Sequence, residues 1–132
     1  MSVVIDASVA LKWVLDELDA AAADALLDET LIAPSLWLVE AANALWRRCQ
    51  RGEITPDGAR DRLEALLTAP VTSLPVEDDL AAALRLATQL RHPVYDCLYL
   101  AAALRHDGQV VTADARFLAA TAAGYPERVR LL

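Results

Sequence analysis

The sequence predicts an α/β fold in which a central, mainly parallel β-sheet is flanked by helices on both faces. Three observations predict it. Short β-branched runs recur along the chain, separated by stretches of helical spacing, which is the alternation from which α/β sheets are built. No Asn-Gly or similar dipeptide joins two of these runs directly, so the connections are the crossovers that parallel strands require. One helical stretch, residues 94–105, is apolar nearly all round and belongs against the sheet. A chain of 132 residues is expected to form one domain, residues 1–132.

Val3-Val4-Ile5 is the first β-branched run and stops at Asp6; residues 7–18 then read as helix. Residues 19–27 form a second helical stretch, and residues 30–33 a short strand before Pro34. The helical pattern of residues 35–51 opens on Pro34-Ser35 and closes at Gly52, a residue suited to the left-handed helix stop. Thr55 and Pro56 start the next helix as cap and first residue, and it runs to residue 67. Residues 71–74 are the third strand. A helix over residues 76–91 carries Glu77, Asp78 and Asp79 at its start and Arg91 and His92 at its end, as the helix dipole favours, which accounts for that acid cluster without a metal. The apolar helix after Pro93 is stopped by Asp107-Gly108. A strand over 109–112, a helix over 114–122 and an edge strand over 128–131 complete the chain. There is no repeat, linker or low-complexity segment.

The chain is 56% hydrophobic, yet charged or polar residues interrupt every apolar run before the ~18 residues a membrane helix needs. The start, Met1-Ser2-Val3-Val4-Ile5-Asp6, lacks the basic flank and longer apolar core of a signal peptide, so a soluble cytoplasmic protein is expected. Cys49 and Cys97 lie in helical patterns outside any C-x-x-C pair, which gives little support to a disulfide or a zinc site. The net charge of −7 argues against a broad phosphate-binding surface. Acids committed to divalent cations would weaken that objection.

Most acids sit at helix starts, on polar faces or in turns, where a solvated charge explains them. Four ask for more. Asp6 ends an apolar strand, and the carboxyl ends of parallel strands form the crevice where ligands bind; capping the following helix is its other reading. Asp114, two residues past the strand over 109–112, faces the same edge and has the same two readings. Glu40 heads a polar stripe with Asn43 and Arg47 on an otherwise apolar helix, which points either into a site or to a pair on a neighbouring helix. Asp96 interrupts Val94-Tyr95 and Cys97-Leu98-Tyr99-Leu100, and a buried carboxylate there requires a proton, a cationic side chain or a metal. Two carboxylates ~4 Å apart repel by about 4 kcal/mol at an effective dielectric of about 20, so a cluster demands a cation of high charge density. All-oxygen ligands without His or Cys select Mg2+ or Mn2+ over zinc.

These residues fall in four ordered motifs. They are Val4-Ile5-Asp6-Ala7-Ser8, Glu40 with Asn43, Tyr95-Asp96-Cys97-Leu98-Tyr99-Leu100-Ala101, and Thr112-Ala113-Asp114-Ala115-Arg116-Phe117. In them, and over essentially its whole length, the chain resembles the PIN-domain ribonucleases, particularly the VapC-type toxins of bacterial toxin–antitoxin pairs. The resemblance implies a PIN-like three-layer fold, with Asp6, Glu40, Asp96 and Asp114 as the catalytic and metal-binding acids. It implies supporting roles for Ser8, Asn43 and Thr112, whose other readings are a helix-start hydroxyl, a helix-surface amide and a strand residue. The implied chemistry is Mg2+-dependent hydrolysis of RNA phosphodiesters, with Mn2+ as a possible substitute, leaving a 5′-phosphate and a 3′-hydroxyl. A cognate antitoxin and a homodimer are the implied partners.

Lys12, Arg47 and Arg116 lie near the proposed site in sequence and are candidates to hold RNA, with solvated surface charge as the competing use. Trp13, Trp37, Trp46 and Tyr95 could stack on bases or pack in the core. The principal alternative function is a catalytically silent PIN-like module whose acidic groove binds a basic partner segment or RNA. A receiver or phosphatase would want paired acids near the first strand end, and Asp6-Ala7-Ser8 offers none.

Overall fold

The computed structural model describes residues 2–132. The strands are β1 (Val3–Ile5), β2 (Leu31–Pro34), β3 (Val71–Leu74), β4 (Gln109–Thr112) and β5 (Val129–Leu131), with β1 and β4 the richest in β-branched residues. They lie side by side in the order β3-β2-β1-β4-β5, and every neighbouring pair is parallel. The sheet is therefore wholly parallel, where the sequence promised only a mainly parallel one. Between the strands run α1 (Ala7–Ala10), α2 (Ala20–Ala25), α3 (Leu36–Gln50), α4 (Pro56–Leu67), α5 (Leu80–Leu90), α6 (Val94–Arg105) and α7 (Ala115–Thr121).

Right-handed crossovers sort these helices into two layers. The steps β1 to β2 to β3 move across the sheet in one direction and leave α1 to α4 on one face; β3 to β4 to β5 moves back and puts α5 to α7 on the other. Packing agrees, with α3 against α1 and α4, α5 against α6, and α6 lying over β1, β2 and β4. The direction reverses between β1 and β4, which opens a crevice at the carboxyl ends of those two strands. Their floor is dry, since Val4, Ile5, Val110, Val111 and Thr112 are fully buried. The middle of α6, from Cys97 to Ala103, is buried as its all-round apolar pattern requires.

Three expected elements come out shorter or split. The helix expected over 7–18 is α1 followed by a 3-10 turn, Leu11–Trp13. Tertiary bonds compete with its continuation: the Trp13 indole donates to the Ala23 carbonyl at 2.8 Å, and Arg62 Nε donates to the Val14 carbonyl at 3.0 Å. Residue 19 lies outside the second helix, because Asp19 adopts the left-handed conformation with φ 65°. The helix over 76–91 is a 3-10 turn, Val76–Asp78, and then α5, broken at Asp79. Asp79 is not one more solvated acid of the helix start. It is buried, and its two carboxylate oxygens take hydrogen bonds from Arg105 at 2.7 and 3.0 Å. The stop after α3 is as expected, with Gly52 at φ 74°. No described helix is long and apolar enough to cross a membrane.

Candidate active site

Asp6 follows β1 directly and is the hub of the crevice. Extended backbone at Asp6 ends the strand, and the carboxylate turns back to cap α1, Oδ1 accepting from the Val9 amide at 3.2 Å. The same oxygen accepts from the Ser8 hydroxyl, and Oδ2 accepts from the Thr112 hydroxyl across the β1–β4 boundary, both at 2.5 Å. The two hydroxyls also tie down the next loop, since Ser8 Oγ accepts from the Ala113 amide at 3.1 Å and Thr112 Oγ1 from the Asp114 amide at 3.0 Å. Asp6 thus caps α1, which was one reading of it, and does so at the carboxyl-end crevice, where the other reading placed it.

Burial pushes the Asp6 carboxyl above its ordinary range; the bonds from Ser8, Thr112 and Val9 pull the other way, and the charge of Asp96 adds to the rise. Glu40, projecting from α3, is also raised by burial, lowered by a hydrogen bond from the Tyr99 hydroxyl at 2.5 Å, and raised again by Asp96 and Asp6. Burial and the Glu40 carboxylate together raise the Tyr99 phenol well above its usual value, and burial with Asp96 lifts the Cys97 thiol to about 11. Asp6, Glu40 and Asp96 are thus close enough for their charges to act on one another.

The burial argument drawn from sequence fell on the wrong acid. Asp96 is the third residue of α6 and sits in its first turn, where 30% of its side chain is exposed. Burial on α6 begins one residue later, and the nearly inaccessible carboxylate is Asp6. Asp96 Oδ2 is hydrogen-bonded to His92 Nε2 at 2.6 Å, and the His92 ring stacks on buried Phe117 with centroids 5.4 Å apart. Asp114 joins the group through its backbone amide on Thr112, while its carboxylate caps α7 by accepting from the Arg116 amide at 2.9 Å.

The remaining candidates divide. Ser8 and Thr112 both hold Asp6. Asn43 stands exposed on α3 beside Glu40 and Arg47. Lys12 is bound to Glu17 at 3.2 Å and to the Leu18 carbonyl at 3.0 Å, so the structure engages it away from any RNA. Arg116 is almost fully exposed and pairs with Asp114 at 3.5 Å. Of the aromatics, Trp37 is core, Trp13 is part-buried, and Trp46 and Tyr95 are exposed. Two functional candidates escaped the sequence reading, Tyr99 and His92. The signal for both was spacing, since they lie one turn after and one turn before Asp96, and a buried tyrosine hydroxyl needs a partner.

A family model described as a PIN domain matches residues 3–123. The chain belongs to the PIN domain family. Among solved structures, the chain is similar to PAE2754 from Pyrobaculum aerophilum, with 26% identity and a TM-score of 0.71 over 91% of this chain and 79% of that one. No curated protein matches it. PIN domains are generally nucleases and typically use divalent metals. In this PIN domain the oxygens gathered at Asp6, its own carboxylate and the Ser8 and Thr112 hydroxyls, fit a hard cation, with the Val9 amide bonded to the same carboxylate. Among the described residues, however, no three His, Cys, Asp or Glu side chains are gathered as a ready ion shell. The acids are instead held one by one: Asp6 by two hydroxyls, Glu40 by Tyr99, Asp96 by His92 and Asp114 by its own helix.

Proposed function

We propose that this PIN domain, acting as one unit over residues 1–132, is a metal-dependent endoribonuclease and the toxin of a toxin–antitoxin pair. The observation that carries the reading is Asp6, a buried carboxylate at the β1–β4 crevice that is held by neutral donors and repelled by Asp96. Asp6, Glu40, Asp96 and Asp114 are the residues that would hold Mg2+ or Mn2+, directly or through water. Such an ion would acidify a water molecule and offset charge developing on the scissile phosphate. The chain's own residues do the positioning. Ser8 and Thr112 fix both oxygens of Asp6, Tyr99 fixes Glu40, and His92, braced on Phe117, fixes Asp96. Of the three candidate cations, Arg47, which has no ion-pair partner among the described residues, and Arg116, which is almost fully exposed in its pair with Asp114, are the two left to meet RNA phosphates.

An acidic crevice suits an arginine-bearing segment of an antitoxin, which would compete with RNA by charge complementarity. Trp46, exposed on α3, is apolar surface that a homodimer could cover. The purified chain, freed of any partner, should cut RNA with Mg2+ or Mn2+ and stop on chelation. Asp6→Asn and Asp96→Asn should each abolish cutting, and activity persisting in both would overturn the proposed site. A silent binding module would give no metal-dependent cleavage of any RNA, yet would still bind its partner.

A further inference from the structure

A cleft of about 290 Å3 opens beside Glu40, lined by Leu36, Val39, Glu40, Asn43 and Arg47 of α3 and by Tyr95 of α6. Glu40 is common to the cleft and the acidic site, so the two are continuous. Glu40, Asn43 and Arg47 follow one another at helical spacing and share one face of α3.

Among the described residues, seven of the chain's twelve Lys and Arg side chains form ion pairs, Arg51 with Glu53 and Arg60 with Asp57 among them. Lys12 is paired with Glu17, Arg48 with Glu17 and Glu53, Arg105 with Asp79, Arg116 with Asp114 and Arg128 with Asp107. Arg47 has no ion-pair partner among the described residues and stands exposed in the cleft wall. In a chain of net charge −7, a free guanidinium beside a carboxylate site is where a phosphate can approach without meeting acids alone. The Asn43 amide, one turn away, is likewise exposed and free of hydrogen bonds to the described residues. Across the cleft, Tyr95 leaves 63% of its surface exposed while the next residue, Asp96, belongs to the site. A rigid helix thus displays an aromatic ring directly beside the proposed chemistry.

A flat ring, a free amide and a free guanidinium match the three parts of a nucleotide: the face of the base, its polar edge and its phosphate. We propose that this cleft seats one nucleotide of single-stranded RNA next to the scissile bond, with its base stacked on Tyr95, its edge met by Asn43 and its phosphate by Arg47. The proposal rests on the nuclease reading and adds to it a subsite that selects the base. Paired RNA is excluded there, because its bases have no free face to stack on the ring.

The test is equilibrium binding of a short, fluorescently labelled, single-stranded RNA of mixed sequence to the full chain in chelator at low salt, alongside cleavage by the same chain with Mn2+. Tyr95→Leu, which keeps the apolar bulk and removes the π-face, should weaken binding about tenfold. Arg47→Ala should weaken it and flatten the slope of log affinity against log salt by about 0.7, the share of one phosphate contact on a single strand. Arg85→Ala removes an exposed arginine that also lacks an ion-pair partner but lies outside the cleft, and should leave binding unchanged. Equal losses in Arg47→Ala and Arg85→Ala would reduce the contact to diffuse charge and overturn the subsite. So would unaltered RNA binding in Tyr95→Leu, including the case in which that variant changes only the oligomeric state and the face is a protein interface. Cleavage by the wild-type chain together with either result would retire the subsite while leaving the nuclease reading standing; no cleavage and no binding would sink both.

Discussion

Replacing Thr112 by valine removes one hydroxyl at nearly constant volume, and the structure sets the size of the effect. Two hydrogen bonds disappear: the one Thr112 donates to Asp6 Oδ2, and the one it accepts from the Asp114 amide. A bond to a charged group contributes about 1.5–3 kcal/mol and a neutral one about 1 kcal/mol, so Thr112→Val should destabilise by about 3 kcal/mol at neutral pH. At this chain length a loss of ~1 kcal/mol lowers Tm by roughly 4 °C, giving a fall of roughly 12 °C. The penalty should depend on pH. The Asp6 carboxyl is raised above its ordinary 3.8 in the folded state, so its ionisation costs stability as pH rises from there through the folded pKa. Thr112 limits that cost by bonding the ionised form, and the valine variant raises the folded pKa further. The gap between wild type and variant should therefore widen with rising pH and shrink toward the single neutral bonds at acid pH. Thermal melts in chelator across this range measure it. A variant within ~0.5 kcal/mol of wild type at neutral pH, or a gap that widens toward acid, would refute the account of Asp6 as the hub.

Asp6→Asn should raise the Tm measured in chelator, by the order of 1 kcal/mol of stability, because it removes a buried charge while its amide oxygen still accepts from Ser8 and Val9 and its NH2 can donate to the Thr112 hydroxyl oxygen. Wild type should in turn gain about 2.7 kcal/mol from Mn2+ at a hundred times its Kd, a gain the variant lacks; melts that move the other way would contradict the reading. Tyr99→Phe removes the donor that lowers Glu40, so the acid limb of the kcat/KM profile should move to higher pH and turnover should fall about 10- to 100-fold. An unshifted pH profile would reject that role. Arg105→Ala strands the buried Asp79 carboxylate and should cost about 2–3 kcal/mol, below the usual figure for an enclosed pair because 40% of the arginine is exposed. Asp79→Ala leaves only a solvated arginine and should cost less; denaturant titration of the two variants measures the asymmetry.

The strands were legible because a wholly parallel sheet buries both faces and so writes itself as β-branched runs, of which Val3–Ile5 and Gln109–Thr112 became the centre. The early helix was misjudged because what halts it, the bonds of Trp13 to Ala23 and Val14 to Arg62, is tertiary and has no local signature. The same physics divides the site. Ser8 lies two residues from Asp6 and could be placed by the motif alone, whereas Tyr99 reaches Glu40 across 59 positions of sequence. The apolar neighbours of Asp96 suggested a buried carboxylate, but hydrophobic residues flanking a helix start report the burial of the helix that follows and not of its first turn. Likewise nothing in the sequence distinguished Lys12, tied to Glu17, from Arg47, which is free.

How the fold treats its two most buried carboxylates is instructive when they are set side by side. Asp79 is met by a guanidinium at 2.7 and 3.0 Å, and its charge is balanced within the chain. Asp6 is given two hydroxyls and an amide, donors that hold its oxygens in place but leave the charge unbalanced, and Asp96 stands near enough to aggravate it. An arginine at Asp6 would have stabilised the resting protein, but it would also have occupied the oxygens permanently with a donor too strongly bound to displace. Neutral hydroxyls orient the carboxylate at small cost and would yield to a stronger cation arriving from outside. On the proposed reading, stability surrendered at the β1–β4 crevice would be available as binding energy, and the loss of that energy is what the Asp6→Asn melts with and without Mn2+ would read.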